Sequence, residues 1–135
     1  MIYLDTSVAL AHLLMEDLRP PAWLWEQPLV SSRLVEYELW TRIHARGLGE
    51  SHGAAVRDVL ARLSMLELQP PVLARALEPF PAPLRTLDAL HLASIEFLLR
   101  NGQDVSLATY DERMRAAAAA LGIKIADLAE GLSGA

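Results

Sequence analysis

Short apolar runs alternate with helical patterns along this chain, and no other feature limits its fold as strongly. Five runs have the length and composition of buried strands, and residues that cap or end helices lie between them. Strands that are separated by helices pair in parallel, with the helices covering both faces of the sheet. The sequence therefore predicts an α/β fold with a central parallel sheet. The predicted strands are 2–5, 29–30, 65–68, 105–108 and 123–125.

Capping residues, prolines and glycines mark the helix boundaries. Thr6-Ser7, Ser31-Ser32 and Thr86 are predicted N-caps, because their side chains accept hydrogen bonds from the first free amides of a helix. The whole chain, 1–135, is predicted to form one domain, with a frayed tail from about residue 128. The predicted helices are 8–15, 22–27, 33–46, 50–63, 70–77, 87–99 and 111–121.

Composition excludes several classes of protein. The 135 residues include no cysteine, which excludes disulfides, thiolate metal sites and a cysteine nucleophile. No basic and apolar leader precedes the first strand, and no apolar stretch approaches the roughly 20 residues of a membrane span. We therefore expect a cytoplasmic protein. The net charge of −5 argues against a nucleic-acid binder that works by bulk electrostatics.

Four carboxylates occupy positions that the predicted fold would bring together. Asp5 ends the first strand and Asp111 follows the fourth, and the carboxyl ends of parallel strands meet at one edge of the sheet. Glu38 lies on the apolar stripe of a predicted helix, whereas Glu36, about 200° away around that helix, points to solvent. Asp88 is in the first turn of another helix and faces inward. The four acids are candidates for one shared site.

Each of these acids also has an ordinary structural role. Asp5 suits a strand-to-helix turn, Asp88 suits a contact with a helix dipole, and Asp111 suits an N-cap. Glu38 is able to pair with Arg42, four residues further along the same helix. For Asp88 and Asp111 taken alone, the structural role is the stronger interpretation. Only the order of the four acids along an alternating chain favours a common function.

Inward-facing acids without cysteine or histidine partners are typical of a site for Mg²⁺ or Mn²⁺. Two such metals about 4 Å apart, or one metal with an acid that acts as the base, are able to activate water for in-line attack on a phosphodiester. The four histidines show no spacing typical of metal ligands. We interpret His91 as a packed or hydrogen-bonded residue near Asp88 and not as a catalytic one.

The four acids lie in segments that resemble a known family. The segments are YLDTS at 3–7, SRLVEYEL at 32–39, LDALHLA at 87–93 and TYDERM at 109–114. In this order, over nearly the whole chain, they resemble the PIN domain family, and within it the VapC-type toxins of prokaryotic toxin–antitoxin pairs. The match is specific because all four segments occur in sequence within one short domain.

This resemblance implies a three-layer α/β/α sandwich whose five-stranded parallel sheet has the order 3-2-1-4-5. It implies an Mg²⁺- or Mn²⁺-dependent endoribonuclease that forms homodimers and is blocked by a VapB-type antitoxin. The rival hypothesis is a PIN-like module that binds RNA or protein without cutting, and the complete set of acids favours the enzyme. The implied catalytic and metal-binding residues are Asp5, Glu38, Asp88 and Asp111, with Ser7 and Thr109 in supporting positions.

Overall fold

Five parallel strands form the centre of the structure, a computed structural model that describes residues 1–129 of the chain. The strands are β1 (Ile2–Leu4), β2 (Leu29–Ser32), β3 (Leu63–Leu66), β4 (Ser106–Ala108) and β5 (Lys124–Ile125). They pair in the order β3-β2-β1-β4-β5, and every neighbouring pair is parallel. The α/β class and the strand order that the sequence and its resemblance predicted are confirmed.

Six α-helices and one short 3₁₀-helix connect the strands. The segment that was predicted as a helix over 22–27 is the 3₁₀-helix Ala22–Glu26. The α-helices are α1 (Thr6–Leu14), α2 (Leu34–Ala45), α3 (Gly49–Ala61), α4 (Pro70–Ala76), α5 (Thr86–Arg100) and α6 (Glu112–Ala120).

Two apolar cores lie on opposite faces of the sheet. Side chains alternate between the faces of a strand, so Ile2 and Leu4 join the core beneath α1, α2 and α3. Tyr3, between them, joins the core beneath α5 and α6. Helix α4 packs against α5 on that second side. The three-layer α/β/α arrangement follows from this alternation.

The third strand begins two residues earlier than the predicted range 65–68. Leu63 is buried and pairs with Leu29 of β2, so the ladder runs from Leu63↔Leu29 to Leu66↔Ser32. Helix α3 accordingly ends at Ala61 and not at residue 63. The apolar pairing with β2 determines this boundary, and the sequence of the segment alone does not.

Two of the three predicted N-caps are wrong. Helix α1 begins at Thr6, and its N-cap is Asp5, whose side chain accepts a hydrogen bond from the Ser7 amide. Helix α5 begins at Thr86 itself, without a side-chain cap. The prediction for Ser32 is correct in function, because its Oγ accepts from the Leu34 amide at 3.2 Å.

The end of the described chain is packed against the first core. Leu128, at the start of the predicted frayed tail, is buried there, and residues 130–135 lie outside the described residues. Within residues 1–129, no helix has the length and apolar character that crossing a membrane requires.

Candidate active site

A cleft at the carboxyl edge of the sheet brings the four predicted acids together. Its volume is about 680 Å³, and Asp5, Glu38, Asp88 and Asp111 all lie in its wall. The strand order reverses between β1 and β4, and in parallel sheets ligands bind at this kind of switch point. The order of the acids along the chain therefore becomes a spatial cluster.

Asp5 is held at the end of β1 by two hydroxyl groups. Its Oδ2 accepts from Ser7 Oγ at 2.6 Å and from Thr109 Oγ1 at 2.8 Å. Within residues 1–129, no group donates to Asp5 Oδ1. The Asp5 carboxylate is therefore both the N-cap of α1 and part of the cleft. Its Oδ2 is fixed by hydrogen bonds, and its Oδ1 remains available.

The same hydroxyl groups connect the ends of β1 and β4. Thr109 Oγ1 accepts from the Asp111 amide at 3.0 Å, and Ser7 Oγ accepts from the Tyr110 amide at 3.0 Å. Each hydroxyl has a single proton, and each directs it to Asp5. The network has one consistent set of donors, which favours a single orientation of the carboxylate.

Asp88 is a partly buried acid of the cleft whose charge is only weakly compensated. Its side chain is 16% exposed, and its Oδ2 is buried without a hydrogen-bond partner among the described residues. The nearest cation is Arg85, whose Nε lies 3.8 Å away. Burial raises the pKa of Asp88, the charges of Asp111 and Asp5 raise it further, and Arg85 and His91 oppose the shift. A bound cation would relieve this repulsion.

Asp111 is the N-cap that the sequence allowed, and it also lines the cleft. Its Oδ1 accepts from the Arg113 amide at 2.9 Å and the Met114 amide at 3.2 Å, which makes it the N-cap of α6. Its Oδ2 lies 3.9 Å from Arg85 Nη2. One oxygen is thus committed to the helix, and the other remains on the side of the cleft.

Glu38 is paired with His91 and not with Arg42, the partner considered from the sequence. His91 Nε2 lies 2.5 Å from Glu38 Oε1, and His91 Nδ1 lies 2.7 Å from the Tyr3 hydroxyl. Burial lowers the pKa of His91, but the hydrogen bond and charge of Glu38, together with the charges of Asp5 and Asp88, outweigh burial and hold the pKa above its ordinary value. As expected, His91 is a buried, hydrogen-bonded residue, although its partner lies on another helix.

Comparison with known proteins decides the family. A family model for the PIN domain matches residues 2–120. The chain belongs to the PIN domain family. Ribonuclease VapC46 of Mycobacterium tuberculosis is 39% identical to it over 129 residues, which are 92% of this chain and 95% of the relative.

Solved structures share the fold of this PIN domain at low sequence identity. A toxin–antitoxin complex from Klebsiella pneumoniae matches with a TM-score of 0.62 and 16% identity, covering 96% of this chain and 99% of that one. VapC20 of Mycobacterium tuberculosis, described as a sarcin–ricin loop cleaving toxin, matches with a TM-score of 0.65 and 18% identity, covering 87% and 95%. These likenesses support the three-layer fold.

The acids of this PIN domain fit a hard divalent cation. No three Asp, Glu or His side chains within residues 1–129 approach closely enough to enclose an ion by themselves. Mg²⁺ does not need such a cage, because it keeps several waters and binds through one or two carboxylates. The donors are oxygens only, and the unpartnered Asp88 Oδ2 is the kind of buried charge that a cation stabilises.

Sequence reasoning missed two residues beside the acids. Arg85 is 69% exposed at the mouth of the cleft and approaches both Asp88 and Asp111. Its position three residues before Asp88 was a usable signal. Tyr3 was assigned only to the buried strand, and its hydroxyl forms a hydrogen bond with His91 of α5, which covers the same face of the sheet. No local pattern predicts that contact.

Replacing Thr109 with valine is expected to weaken both the site and the fold. The change keeps the shape of the side chain but removes the hydroxyl that donates to Asp5 and accepts from the Asp111 amide. The partly buried Asp111 amide loses its partner, which costs about 1 kcal/mol of stability, the low end of the range for an unsatisfied group. Loss of such a supporting group lowers activity roughly 10- to 100-fold.

Thr109→Ser keeps the hydroxyl and is the matched control. Chemical denaturation and RNA cleavage assays on the two variants separate the effect of the hydroxyl from that of the methyl group. Equal losses in both variants would show that the hydroxyl has no special role.

Proposed function

We propose that this PIN domain is a divalent-metal-dependent endoribonuclease, the toxin of a toxin–antitoxin pair. One observation carries the proposal: four acids converge at the switch point of the sheet, and the buried Asp88 Oδ2 among them has no hydrogen-bond partner within residues 1–129. A protein of ordinary stability avoids such a cluster unless a cation compensates it. The 39% identity with Ribonuclease VapC46 of Mycobacterium tuberculosis supports ribonuclease activity.

In this proposal Asp5, Glu38 and Asp88 hold Mg²⁺ or Mn²⁺ directly or through water, and Asp111 completes the site. When bound, the ion supplies an activated water and stabilises negative charge on the phosphate. Ser7 and Thr109 keep Asp5 in place through their hydrogen bonds. Arg85, at the mouth, is placed to contact a phosphate of the incoming strand.

The proposed partner is a VapB-type antitoxin, supported by a solved toxin–antitoxin complex with the same fold. The cleft wall next to the acids contains apolar side chains, among them Leu10, Leu18 and Leu34. A protein segment that covers this wall would also exclude RNA from the acids. We retain the homodimer as a proposal, to be measured by light scattering.

The alternative is a PIN-like module that binds RNA or protein without cutting it. Such a module has no need for a cation, and it would tolerate loss of the acids. The two functions therefore differ in metal binding before any RNA is added.

We expect the purified protein to bind Mn²⁺ and to cleave RNA only while the metal is present. Calorimetric titration with Mn²⁺ should show binding in the wild type and a severe loss in Glu38→Gln, because that variant removes a charged oxygen ligand from the cleft. Addition of EDTA should stop RNA cleavage, and excess Mg²⁺ should restore it.

Glu36→Gln is the matched control, since Glu36 lies on the same helix with its side chain 39% exposed beside Arg33. This variant should bind Mn²⁺ like the wild type. If the wild type binds no Mn²⁺ at millimolar concentration, or if cleavage continues in EDTA, the non-catalytic alternative or a metal-free mechanism replaces the proposal.

A further inference from the structure

A buried chain of hydrogen bonds runs from the backbone of β2 to the carboxylate of Glu38. The Ser32 amide donates to the Tyr3 hydroxyl oxygen at 3.1 Å, and that hydroxyl lies 2.7 Å from His91 Nδ1. His91 Nε2 in turn lies 2.5 Å from Glu38 Oε1. Tyr3 is fully buried and His91 is 1% exposed, so only the Glu38 end reaches the cleft.

The direction of the protons follows from the last bond in this chain, between His91 and the Glu38 carboxylate. The Glu38 carboxylate only accepts, so His91 Nε2 carries a proton, and in a neutral imidazole Nδ1 is then the acceptor for the Tyr3 proton. The Ser32 amide donates to the same Tyr3 oxygen. A neutral His91 then carries its proton on Nε2 and donates it to Glu38. A protonated His91 also donates from Nε2, because the only acceptor there is a carboxylate. In both states His91 presents a donor to Glu38.

We propose that His91 is a positioning residue for Glu38, an inference that rests on the proposed metal-dependent function. It fixes Oε1 through Nε2–H, which leaves Oε2 for the cleft that Glu38 lines. A glutamate has three side-chain torsions to order, so a free Glu38 on the surface of α2 would sample several rotamers. A carboxylate already oriented by a buried donor loses less entropy when it meets a cation.

A second hydrogen bond, independent of the one to Glu38, holds His91 in place. A donor on the surface would lack such a bond. The Tyr3 bond holds the imidazole from the opposite side, and the two rings meet edge to face with their planes at 80°. The ring is therefore fixed by the sheet, through β1 and β2, and transmits that fixed position to α2. Among residues 1–129, Glu36 on the same helix has only a long 3.8 Å contact with the partly exposed Arg33.

The test measures the orientation of Glu38 in metal-free protein. Three-bond couplings from NMR report whether the first torsion of Glu38 occupies one rotamer or averages over several. We expect one rotamer in the wild type, averaging in His91→Phe, and one rotamer again in His91→Gln, whose amide can donate to Oε1. His52→Phe, on α3 and away from the cleft, is the control and should match the wild type.

Mn²⁺ titration of the same variants provides the second readout. His91→Phe should bind about 10- to 100-fold more weakly, as expected for loss of a residue that orients a ligand, and His91→Gln should recover most of the affinity. Because His91 is buried, His91→Met serves as a second deletion variant if the phenylalanine variant does not fold; methionine adapts to irregular cavities.

Two results overturn the inference. The first is an unchanged Glu38 rotamer in a folded variant that lacks the His91 donor. The second is an averaged rotamer with unchanged Mn²⁺ affinity. A wild type that binds no Mn²⁺ would reject the proposed function instead, and the couplings, which need no metal, would still decide whether His91 orients Glu38.

Discussion

Asp5→Asn is expected to reduce Mg²⁺-dependent RNA cleavage to the level of a protein-free control. Asp5 is the buried acid at the switch point, with Oδ2 bound by Ser7 and Thr109 and Oδ1 without a donor within residues 1–129. Asparagine has the same shape but no charge to attract a cation. Removal of one preorganised electrostatic group lowers rates by about 10²- to 10³-fold, and loss of a metal ligand should reach at least this magnitude.

The fold of the Asp5→Asn variant should remain intact. The carbonyl oxygen of the new asparagine can still accept from both hydroxyls, as Asp5 Oδ2 does. Circular dichroism and thermal unfolding should match those of the wild type. Asp58→Asn removes a carboxylate from the exposed face of α3 and is the control for the change in net charge. Undiminished cleavage by a folded Asp5→Asn variant would refute the assignment of the site.

Asp88→Asn is expected to abolish cleavage and at the same time stabilise the metal-free protein. The wild-type carboxylate is partly buried, its Oδ2 has no hydrogen-bond partner among residues 1–129, and Asp111 and Asp5 repel it. Neutralising it should raise the free energy of unfolding in EDTA by on the order of 1 kcal/mol, the low end of the cost of an unsatisfied buried group. If Asp88 only supported the fold, its replacement would lower the free energy of unfolding.

The difference in unfolding free energy between Asp88→Asn and the wild type should increase as pH rises. The folded-state pKa of Asp88 is raised above the unfolded value near 3.8, so the folded protein binds this proton more readily. The wild type therefore loses stability as pH rises from the unfolded pKa through the raised folded-state pKa. Urea denaturation in EDTA should show a gap between wild type and Asp88→Asn at pH 7 that shrinks toward pH 4.

In Mn²⁺ the wild type should be more stable than Asp88→Asn, which is the reverse of the order expected in EDTA. Mn²⁺ that binds only the folded state raises the unfolding free energy of the wild type, and it should leave Asp88→Asn nearly unchanged. If Asp88→Asn is less stable than the wild type in EDTA, Asp88 anchors α5 and is not an uncompensated acid of the site.

Part of the site was visible in the sequence for a simple physical reason. Parallel strands place their carboxyl ends at one edge, so Asp5 and Asp111 were expected together once the strands were found. Helical periodicity separated Glu38 from Glu36, and the structure places the first in the cleft and the second beside Arg33 at the surface. Local patterns were sufficient wherever the deciding interaction lay within one element.

The boundaries of strands and helices and the hydrogen-bond partners of side chains were harder to predict from the sequence. The start of β3 depended on Leu63 meeting Leu29, two residues from distant segments. The partner of Glu38 was sought four residues away on its own helix, but it lies on α5, 53 positions along the chain. The third segment of the resemblance contained His91 without indicating what it touches. Such contacts require the relative placement of two helices, which periodicity does not encode.

By itself, the sequence determined the α/β class, the parallel sheet and the identity of the four candidate acids, because strand and helix periods and the order of the acids are local or additive properties. The tertiary structure decided which carboxylate oxygens of these acids are already engaged in hydrogen bonds and which are not. Asp5 Oδ2 accepts from two hydroxyls, Asp111 Oδ1 caps a helix, and Glu38 Oε1 is paired with His91. Asp88 Oδ2 has no hydrogen bond among the described residues. Only packing between distant elements sets these distances, and the chemistry of the cleft depends on them.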